Sequence, residues 1–301
     1  MFSNLFGQAS GPILVASAAL LWATDALVRY PAAGKVSPVF IVLIEHILAV
    51  LVLFPWLYKK GLKFTFSLDF KEWLSAFLSG VGGSALATLL FTASFRYVNP
   101  SVSVLLQKFQ PLIVVLIAYA FLNERPAKKF YFWSLIALLA GIVLSFPEFN
   151  FKSLFKGVTL YSKGIQYSLI AAFLWAASTV AGKILLKRTH PTLATFWRFF
   201  FGGLALSVIQ GFDSHPQNLS ILNEAPIIAS LLYLSLVPGL LAVLVYYQGL
   251  SKTSASVTTF IELVYPIGAV LLNTLFLNTP LETVQTIAGS ILILAVAMIS
   301  F

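Results

Sequence analysis

Apolar segments long enough to cross a lipid bilayer recur ten times along the chain. A helix needs about 20 predominantly apolar residues to span the hydrocarbon core. Charged residues make up only 10% of the sequence, against roughly 25% in soluble domains, so lipid must be the solvent for most of the chain. We therefore predict an all-α membrane protein with ten transmembrane helices. The predicted spans are 11–30, 37–57, 73–96, 99–121, 129–146, 162–183, 191–211, 226–249, 254–278 and 282–301.

The basic residues between the spans predict the orientation of the chain. Ten spans place both termini on one side, and that side holds eleven lysines and arginines, whereas the other side holds six. Because cytoplasmic loops carry the excess of Lys and Arg, we predict that both termini are cytoplasmic. Residues 147–161 and 212–224 should then lie outside a bacterial cytoplasmic (inner) membrane. The net charge of +9 is interpreted as topology and attraction to anionic lipid, with no nucleic-acid partner.

The residue types that bind metals are scarce in this sequence. Cysteine is absent, and the three histidines, His46, His190 and His215, are scattered. Disulfides and thiolate chemistry are therefore excluded, and the ligand spacing of a zinc site is missing. We expect no metal and no cofactor. The expected partners are a small-molecule substrate and the lipid bilayer, and the chain should be a monomer or a homodimer.

An internal duplication divides the chain into two halves. The segment AALLWA recurs as AAFLWA 153 residues later, and further along an offset of 155 residues pairs Pro111 with Pro266. An ordered series of such pairs indicates repeats. Each repeat holds five spans, and because five is odd, the second copy enters the membrane from the opposite side. We predict inverted repeats at residues 1–150 and 151–301, an arrangement that secondary transporters use for alternating access.

Helix interruptions occur at corresponding positions of the two repeats. Glycines in the third span correspond to a Pro-Gly pair in the eighth, and a proline in the fourth span corresponds to one in the ninth. Proline frees a backbone carbonyl and kinks a helix, and paired interruptions point to the binding site of a transporter. The alternative is that small residues merely let helices pack closely. The candidate hinge residues are Gly82, Gly83, Pro111, Pro238, Gly239 and Pro266.

Polar side chains gather near these interruptions, on the fourth and ninth spans. A charged group at mid-membrane costs about 2.5–3.5 kcal/mol on insertion scales, so Lys108 and Glu262 must face a cavity or a partner. They either line the substrate cavity or form a structural ion pair, and the two roles are compatible. The candidate substrate-binding residues are Trp22, Gln107, Lys108, Gln110, Trp175, Thr258, Glu262 and Tyr265.

Other ionisable side chains inside the spans are candidates for proton coupling. Asp25 has Arg29 four residues later, so it either forms an ion pair near the membrane surface or carries a proton. Glu45, its repeat equivalent Arg198, and His46 could brace the two halves against each other rather than contact the substrate. His46 could relay protons or serve as a hydrogen-bonded structural residue. The proton-coupling candidates are Asp25, Glu45, His46 and Glu262.

Several of these segments together resemble a known family. They are the two LWA-containing helices, HPTLATFWRF in the seventh span, NPSVSVLLQKFQPLIVVLIAYAFLNE at 99–124 and TSASVTTFIELVYPIGAVLLNTLFLN at 253–278. With them the whole chain resembles the EamA-type members of the drug/metabolite transporter superfamily. The resemblance implies a ten-helix inverted-repeat fold around a central cavity, walled largely by the third, fourth, eighth and ninth helices. It implies metabolite or drug transport without identifying the substrate.

The chain departs from the family pattern in two places. The second span has Glu45 and His46 where the family often has arginine, as Arg198 does in the second copy. The second copy also has Thr279 where the first has Glu124. The first departure puts family-based assumptions about coupling in doubt.

The leading functional hypothesis is a secondary transporter for a small polar metabolite, such as an amino acid. A cavity that offers both Lys108 and Glu262 suits a zwitterion. A multidrug–proton antiporter is the alternative within transport, although a lysine in the cavity disfavours cationic drugs. A membrane-embedded enzyme or scaffold is the alternative of another class. An enzyme of that kind would require an acidic metal-binding cluster or a catalytic His/Asp set at the interface, and the ten acidic residues contain no D-x-x-D motif.

Overall fold

The computed structural model describes residues 10–122, 129–145, 160–212 and 219–300, and ten long helices dominate these ranges. Two short helical turns, at Leu62–Thr65 and Leu219–Asn223, lie in the connections between them. The long helices are α1 (Gly11–Lys35), α2 (Pro38–Lys60), α3 (Phe70–Ser94), α4 (Pro100–Leu122), α5 (Lys129–Ser145), α6 (Leu160–Leu185), α7 (Pro191–Gly211), α8 (Ala225–Ser251), α9 (Ala255–Phe276) and α10 (Thr283–Ser300).

The helices have the length and composition of membrane spans. Eight of those described are long and apolar enough to cross a bilayer, and α5 and α10 are apolar but shorter. The prediction of a ten-helix, all-α membrane protein is therefore confirmed. The predicted boundary between the repeats, at residue 150, and most of the predicted outside loop 147–161 lie outside the described residues. Within the other predicted outside loop, residues 213–218 are likewise not described.

Local sequence signals explain where several helices begin. Prolines occupy the first position of α2, α4 and α7, where the missing N–H removes no helical hydrogen bond. The side chain of Asn99 accepts a hydrogen bond from the backbone N–H of Ser101 at the start of α4. Asp69 and Glu72 form a reciprocal capping box at the start of α3, which satisfies two otherwise unpaired backbone donors.

The prolines of α4 and α9 break their helices at repeat-equivalent places, as the sequence predicts. In α4 the residues Gln107–Phe109 form a 3₁₀ turn, and in α9 a turn follows Ile261 and ends at Val264. In a regular helix the carbonyls of Gln107 and Glu262 would accept a hydrogen bond from the N–H four residues later, but those residues are Pro111 and Pro266, which have no N–H. Each of these carbonyls instead accepts a hydrogen bond from the N–H one residue earlier, which is the N–H of Gln110 in α4 and of Tyr265 in α9.

The third helix of each half contains a π-helical segment. In α3 the segment is Leu78–Leu86, which holds the predicted glycines, and in α8 it is Ser235–Leu241, which holds the predicted Pro-Gly pair. π-segments inside α-helices occur often at functional sites. The interruptions predicted from sequence are therefore present in both pairs of helices, and their function as hinges stays a prediction.

The helices pack across the two halves of the chain. The first helix of each half lies against the third helix of the other, so that α1 packs on α8 and α6 packs on α3. The helices α5 and α10 pack chiefly against each other. This arrangement leaves the eight remaining long helices around the centre of the molecule, where the polar residues converge.

Candidate functional site

A cavity of about 130 Å³ lies at the centre of the bundle. Every long helix except α5 and α10 contributes side chains to its wall. Twelve residues that the sequence analysis selected line it, and their functional roles stay predictions. They are Trp22, Asp25, Glu45, His46, Gln107, Lys108, Gln110, Trp175, Pro238, Gly239, Glu262 and Tyr265.

Five of the selected residues lie away from the cavity wall. Thr258 is fully buried, and its hydroxyl donates a hydrogen bond to the Ser254 carbonyl 2.8 Å away. The other four are glycines and prolines whose backbone effects do not require contact with a ligand. They are Gly82, Gly83, Pro111 and Pro266.

Arg29 forms one corner of the cavity, where two carboxylates hold it. Its guanidinium donates to both oxygens of Asp25, at 2.6 and 2.7 Å, and its Nη1 lies 2.7 Å from Oε1 of Glu45. The same Nη1 donates to the hydroxyl of Thr92 at 3.1 Å. The predicted Asp25–Arg29 ion pair is thus present, but it is buried and shared with Glu45. Paired charges of this kind greatly reduce the cost of burial.

Arg198 forms a second corner, and hydroxyls surround it instead of carboxylates. Its Nη1 donates to the hydroxyls of Ser178 and Tyr247, each at 3.2 Å, and its Cζ lies 5.5 Å from the centroid of the Tyr247 ring. Its Nε is buried and has no hydrogen-bond partner within the described ranges. Arg198 forms no ion pair with Glu45 among the described residues, because Glu45 pairs with Arg29. The bracing role of Glu45, His46 and Arg198 stays a prediction.

The two corners are repeat equivalents. At the offsets read from the sequence, the residues Asp25, Arg29, Glu45 and Thr92 correspond to Ser178, Gly182, Arg198 and Tyr247. Each half thus places one guanidinium in the cavity wall. In the first half it belongs to Arg29 of α1, and in the second half it belongs to Arg198 of α7. The first guanidinium has two acidic partners, and the second has none at ion-pair distance within the described part of the chain.

Lys108 and Glu262 share the cavity without forming the predicted ion pair. No Lys108–Glu262 contact within 4.0 Å is present among the described residues, and Lys108 Nζ lies instead 4.9 Å from the centroid of the Tyr265 ring. The Oε1 of Glu262 is buried and lacks a hydrogen-bond partner in the part of the chain that the structure describes. The structural alternative raised by the sequence, a direct salt bridge, is therefore wrong for this conformation.

Neutral hydrogen-bonding groups fill the wall between these charges. His46 donates from Nδ1 to the Val42 carbonyl at 2.7 Å, which leaves Nε2 as the acceptor for the Ser84 hydroxyl at 2.9 Å. This geometry fits the hydrogen-bonded structural histidine that the sequence left open. The amide of Gln110 reaches the Thr179 hydroxyl at 3.4 Å. The Nε2 of Gln107 is buried without a partner among the residues described.

Two aromatic pairs line the cavity and are repeat equivalents. Trp22 packs on Tyr246 with ring centroids 5.1 Å apart, and Phe91 packs on Trp175 at 5.4 Å. The indole of Trp22 also donates to the Pro238 carbonyl at 2.9 Å, within the π-segment of α8. These rings give the cavity flat apolar faces beside its charged corners.

The sequence analysis did not select several residues of the wall. On α3 and α8 these residues follow helical spacing and match across the repeat offset of 155, which is a signal that could have identified them. The missed residues are Ser84, Thr88, Phe91, Ser178, Thr179, Phe199, Val243 and Tyr246, whereas Arg29 and Arg198 were named only as an ion-pair partner and as a brace.

Comparisons with known proteins place these features in a family. The sequence profile of the EamA-like transporter family matches residues 9–146 and 162–301. A protein named riboflavin transporter ImpX, from Fusobacterium nucleatum, is 29% identical over 296 residues, which cover 96% of this chain and 97% of that protein. Protein PecM from Dickeya dadantii is 27% identical over 71% of this chain and 69% of its own length. One solved crystal structure shares the fold at 19% identity, with a TM-score of 0.69 over 96% of both chains.

Proposed function

Because the chain belongs to the EamA-like transporter family, we propose that it is a secondary transporter that moves a small polar solute across the cytoplasmic membrane by alternating access. Eight helices enclose the cavity, and four of them are interrupted in repeat-equivalent pairs. Interrupted helices beside a central site are the features that allow such a site to open alternately to either side.

Buried polar atoms without partners, set among aromatic rings, are the observation that carries the proposal. Gln107 Nε2 and Glu262 Oε1 find no protein partner within the described ranges, and an unsatisfied buried group costs about 1–3 kcal/mol. Ligand atoms would remove that cost. The faces of Trp22, Phe91 and Trp175 suit a flat ring with polar edges. We therefore propose a nitrogen heterocycle as the substrate class, with riboflavin as the first compound to test, given the relative named a riboflavin transporter.

The size of the cavity supports a mechanism in which the site must open to accept the solute. A volume of about 130 Å³ is below the roughly 300–1,000 Å³ of pockets for drug-sized ligands. The proposal therefore requires that the site widens when it takes up a flavin.

An amino acid or similar carboxylate-bearing solute is the second candidate, and the sequence analysis favoured it. One observation supports it: Lys108 and Glu262 lie in the same cavity without pairing directly, so a zwitterion could contact both. A multidrug–proton antiporter receives less support, because Lys108 and Arg198 would both repel a cationic drug.

Uptake by purified protein in proteoliposomes tests the proposal. We expect saturable uptake of riboflavin, and uptake that responds to an imposed pH gradient if Asp25, Glu45, His46 or Glu262 couples transport to protons. Glu262→Gln removes a charge from the cavity wall and should reduce uptake by about tenfold or more. The matched control is Glu282→Gln, since Glu282 is exposed and outside the cavity.

The outcomes separate the candidates. Uptake of amino acids without uptake of riboflavin would replace the first candidate with the second. Absence of uptake for both classes, from protein that is monodisperse and folded, would overturn the proposed substrate classes. Equal uptake by the Glu262 and Glu282 variants would show that the cavity carboxylate takes no part.

A further inference from the structure

Arg198 is a buried cation on the cavity wall with no acidic partner at ion-pair distance within the described part of the chain. Only 8% of the residue is exposed. Among the described residues its Nε has no hydrogen-bond partner, and its Nη1 donates to the hydroxyls of Ser178 and Tyr247. We propose that Arg198, with Lys108, forms a subsite for an oxyanion, namely a carboxylate or phosphate group. The inference rests on the proposed function in that it concerns the same cavity.

The corner around Arg29 indicates what the corner around Arg198 lacks. In the first half, the guanidinium of Arg29 binds two carboxylates, from Asp25 and Glu45. In the second half, Ser178 occupies the position equivalent to Asp25, and Arg198 itself occupies the position equivalent to Glu45. The guanidinium of Arg198 therefore has hydroxyl partners and no acid at ion-pair distance within the described ranges. Each half thus holds a buried guanidinium on the cavity wall, but among the described residues only the first half supplies it with carboxylates.

The charge balance near Arg198 leads to the same conclusion. Lys108 is 2% exposed and, like Arg198, forms no ion pair within 4.0 Å among the residues described. Glu262 lines the same cavity as both cations. The Arg29 corner, with one guanidinium and two carboxylates, has a formal charge of −1. Glu262, Lys108 and Arg198 together have a formal charge of +1, so one bound negative charge would neutralise these three groups. A planar guanidinium with a free Nε offers the parallel donors that bind two oxygens of a carboxylate or phosphate.

This assignment makes Glu262 an internal competitor for the anion. Its carboxylate and a bound oxyanion would interact with the same two cations, and like charges in one buried site repel each other. Removal of the Glu262 charge should therefore strengthen anion binding, whereas removal of the Arg198 charge should weaken it. A merely structural arginine would not produce opposite effects from these two substitutions.

Thermal unfolding of the purified full-length protein, with acetate and inorganic phosphate as probes, tests the proposal. Phosphate also stabilises proteins by exclusion from their surface, so the readout is the saturable, variant-dependent part of the rise in Tm at constant ionic strength. Arg198→Gln should weaken the apparent affinity by at least roughly tenfold, as expected when a buried charge partner is removed. Glu262→Gln should tighten it. Arg188→Gln is the matched control, because Arg188 is exposed and its ion pair lies at 3.8 Å on the surface.

The result that would overturn the proposal is an equal response of the Arg198→Gln, Arg188→Gln and unsubstituted proteins. If Arg198→Gln does not fold, Arg198→Lys and Tyr247→Phe replace it. Lysine keeps the charge but loses the bidentate geometry, so Arg198→Lys should show intermediate affinity, and Tyr247→Phe removes one hydroxyl that positions the guanidinium. Affinity unchanged in both of these variants would also refute the subsite.

A second measurement identifies the source of the oxyanion group. If riboflavin uptake is observed, acetate and phosphate should change its rate. Inhibition would indicate that they occupy the place of a group on the natural solute, and stimulation would indicate that they act as a separate co-bound anion. An absence of any effect on uptake would contradict a subsite inside the transport cavity. If riboflavin is not transported, the Tm assay still reads the anion subsite, so failure of the proposed substrate and failure of the subsite remain distinguishable.

Discussion

Two adjacent glycines in the π-segment of α3 should respond oppositely to the same substitution. A methyl group on Gly83 would overlap the Cβ and Oγ of Ser178 on α6, whereas a methyl group on Gly82 would meet only Leu174 Cδ2 at 3.9 Å, an ordinary contact. Alanine favours a helix over glycine by up to about 1 kcal/mol, and this gain applies to both positions. Overpacking costs about 1–3 kcal/mol and applies only to Gly83.

The expected difference between Gly82→Ala and Gly83→Ala is therefore about 1–3 kcal/mol, with Gly82→Ala the more stable variant. The sign of this stability difference does not depend on the higher helix propensity of alanine, because both variants receive the same gain. Displacement of Ser178 would also disturb an acceptor of Arg198. Thermal unfolding in detergent, followed by tryptophan fluorescence, would rank the variants.

A compensating change makes the prediction sharper. Ser178→Gly removes the side chain that the new methyl group would strike, so Gly83→Ala combined with Ser178→Gly should recover stability relative to the sum of the single changes. Equal Tm values for Gly82→Ala and Gly83→Ala, or additive effects in the double variant, would refute the reasoning. Loss of uptake by the stable Gly82→Ala variant would instead support the hinge role predicted from sequence.

Two further predictions concern the Arg29 corner and the orientation in the membrane. Arg29→Gln leaves two buried carboxylates without a cation, so it should destabilise the protein by about 3–5 kcal/mol. The double variant Arg29→Gln with Glu45→Gln should recover part of the monodisperse yield. A stable Arg29→Gln protein would contradict this prediction. The chain has no cysteine, so a single introduced cysteine can report the orientation at an exposed position. Phe212 and Tyr58 are both highly exposed, and we expect Phe212→Cys to react with an impermeant maleimide from outside and Tyr58→Cys from the cytoplasmic side. The reverse pattern would overturn the predicted orientation.

The sequence predicted the features of the site that have local causes. A proline removes a hydrogen bond from the residue four positions earlier, so the breaks near Gln107 and Glu262 follow directly from Pro111 and Pro266. The ion pair of Asp25 with Arg29 is likewise a contact between neighbouring turns of one helix. Such features require only the periodicity of a helix, which the chain specifies residue by residue.

The contacts between helices could not be predicted in the same way. Lys108 and Glu262 lie at similar depth, yet the rotation of each helix after its break decides whether they pair, and Lys108 lies over Tyr265 instead. Glu45 and Arg198 occupy equivalent positions, but Glu45 meets Arg29 from α1 while Arg198 meets hydroxyls. Which neighbour each charge finds depends on packing between segments far apart in the chain.

The unequal arginine corners have a consequence for the kinetics of exchange. If the outward-open and inward-open states interchange the conformations of the two halves, a chain with chemically identical halves would populate both states equally. Here one corner is held by carboxylates and the other by hydroxyls, so we expect a resting population biased towards one state. A passive carrier with such a bias has different half-saturation concentrations at its two faces, while the ratio of maximal rate to half-saturation concentration stays the same in both directions.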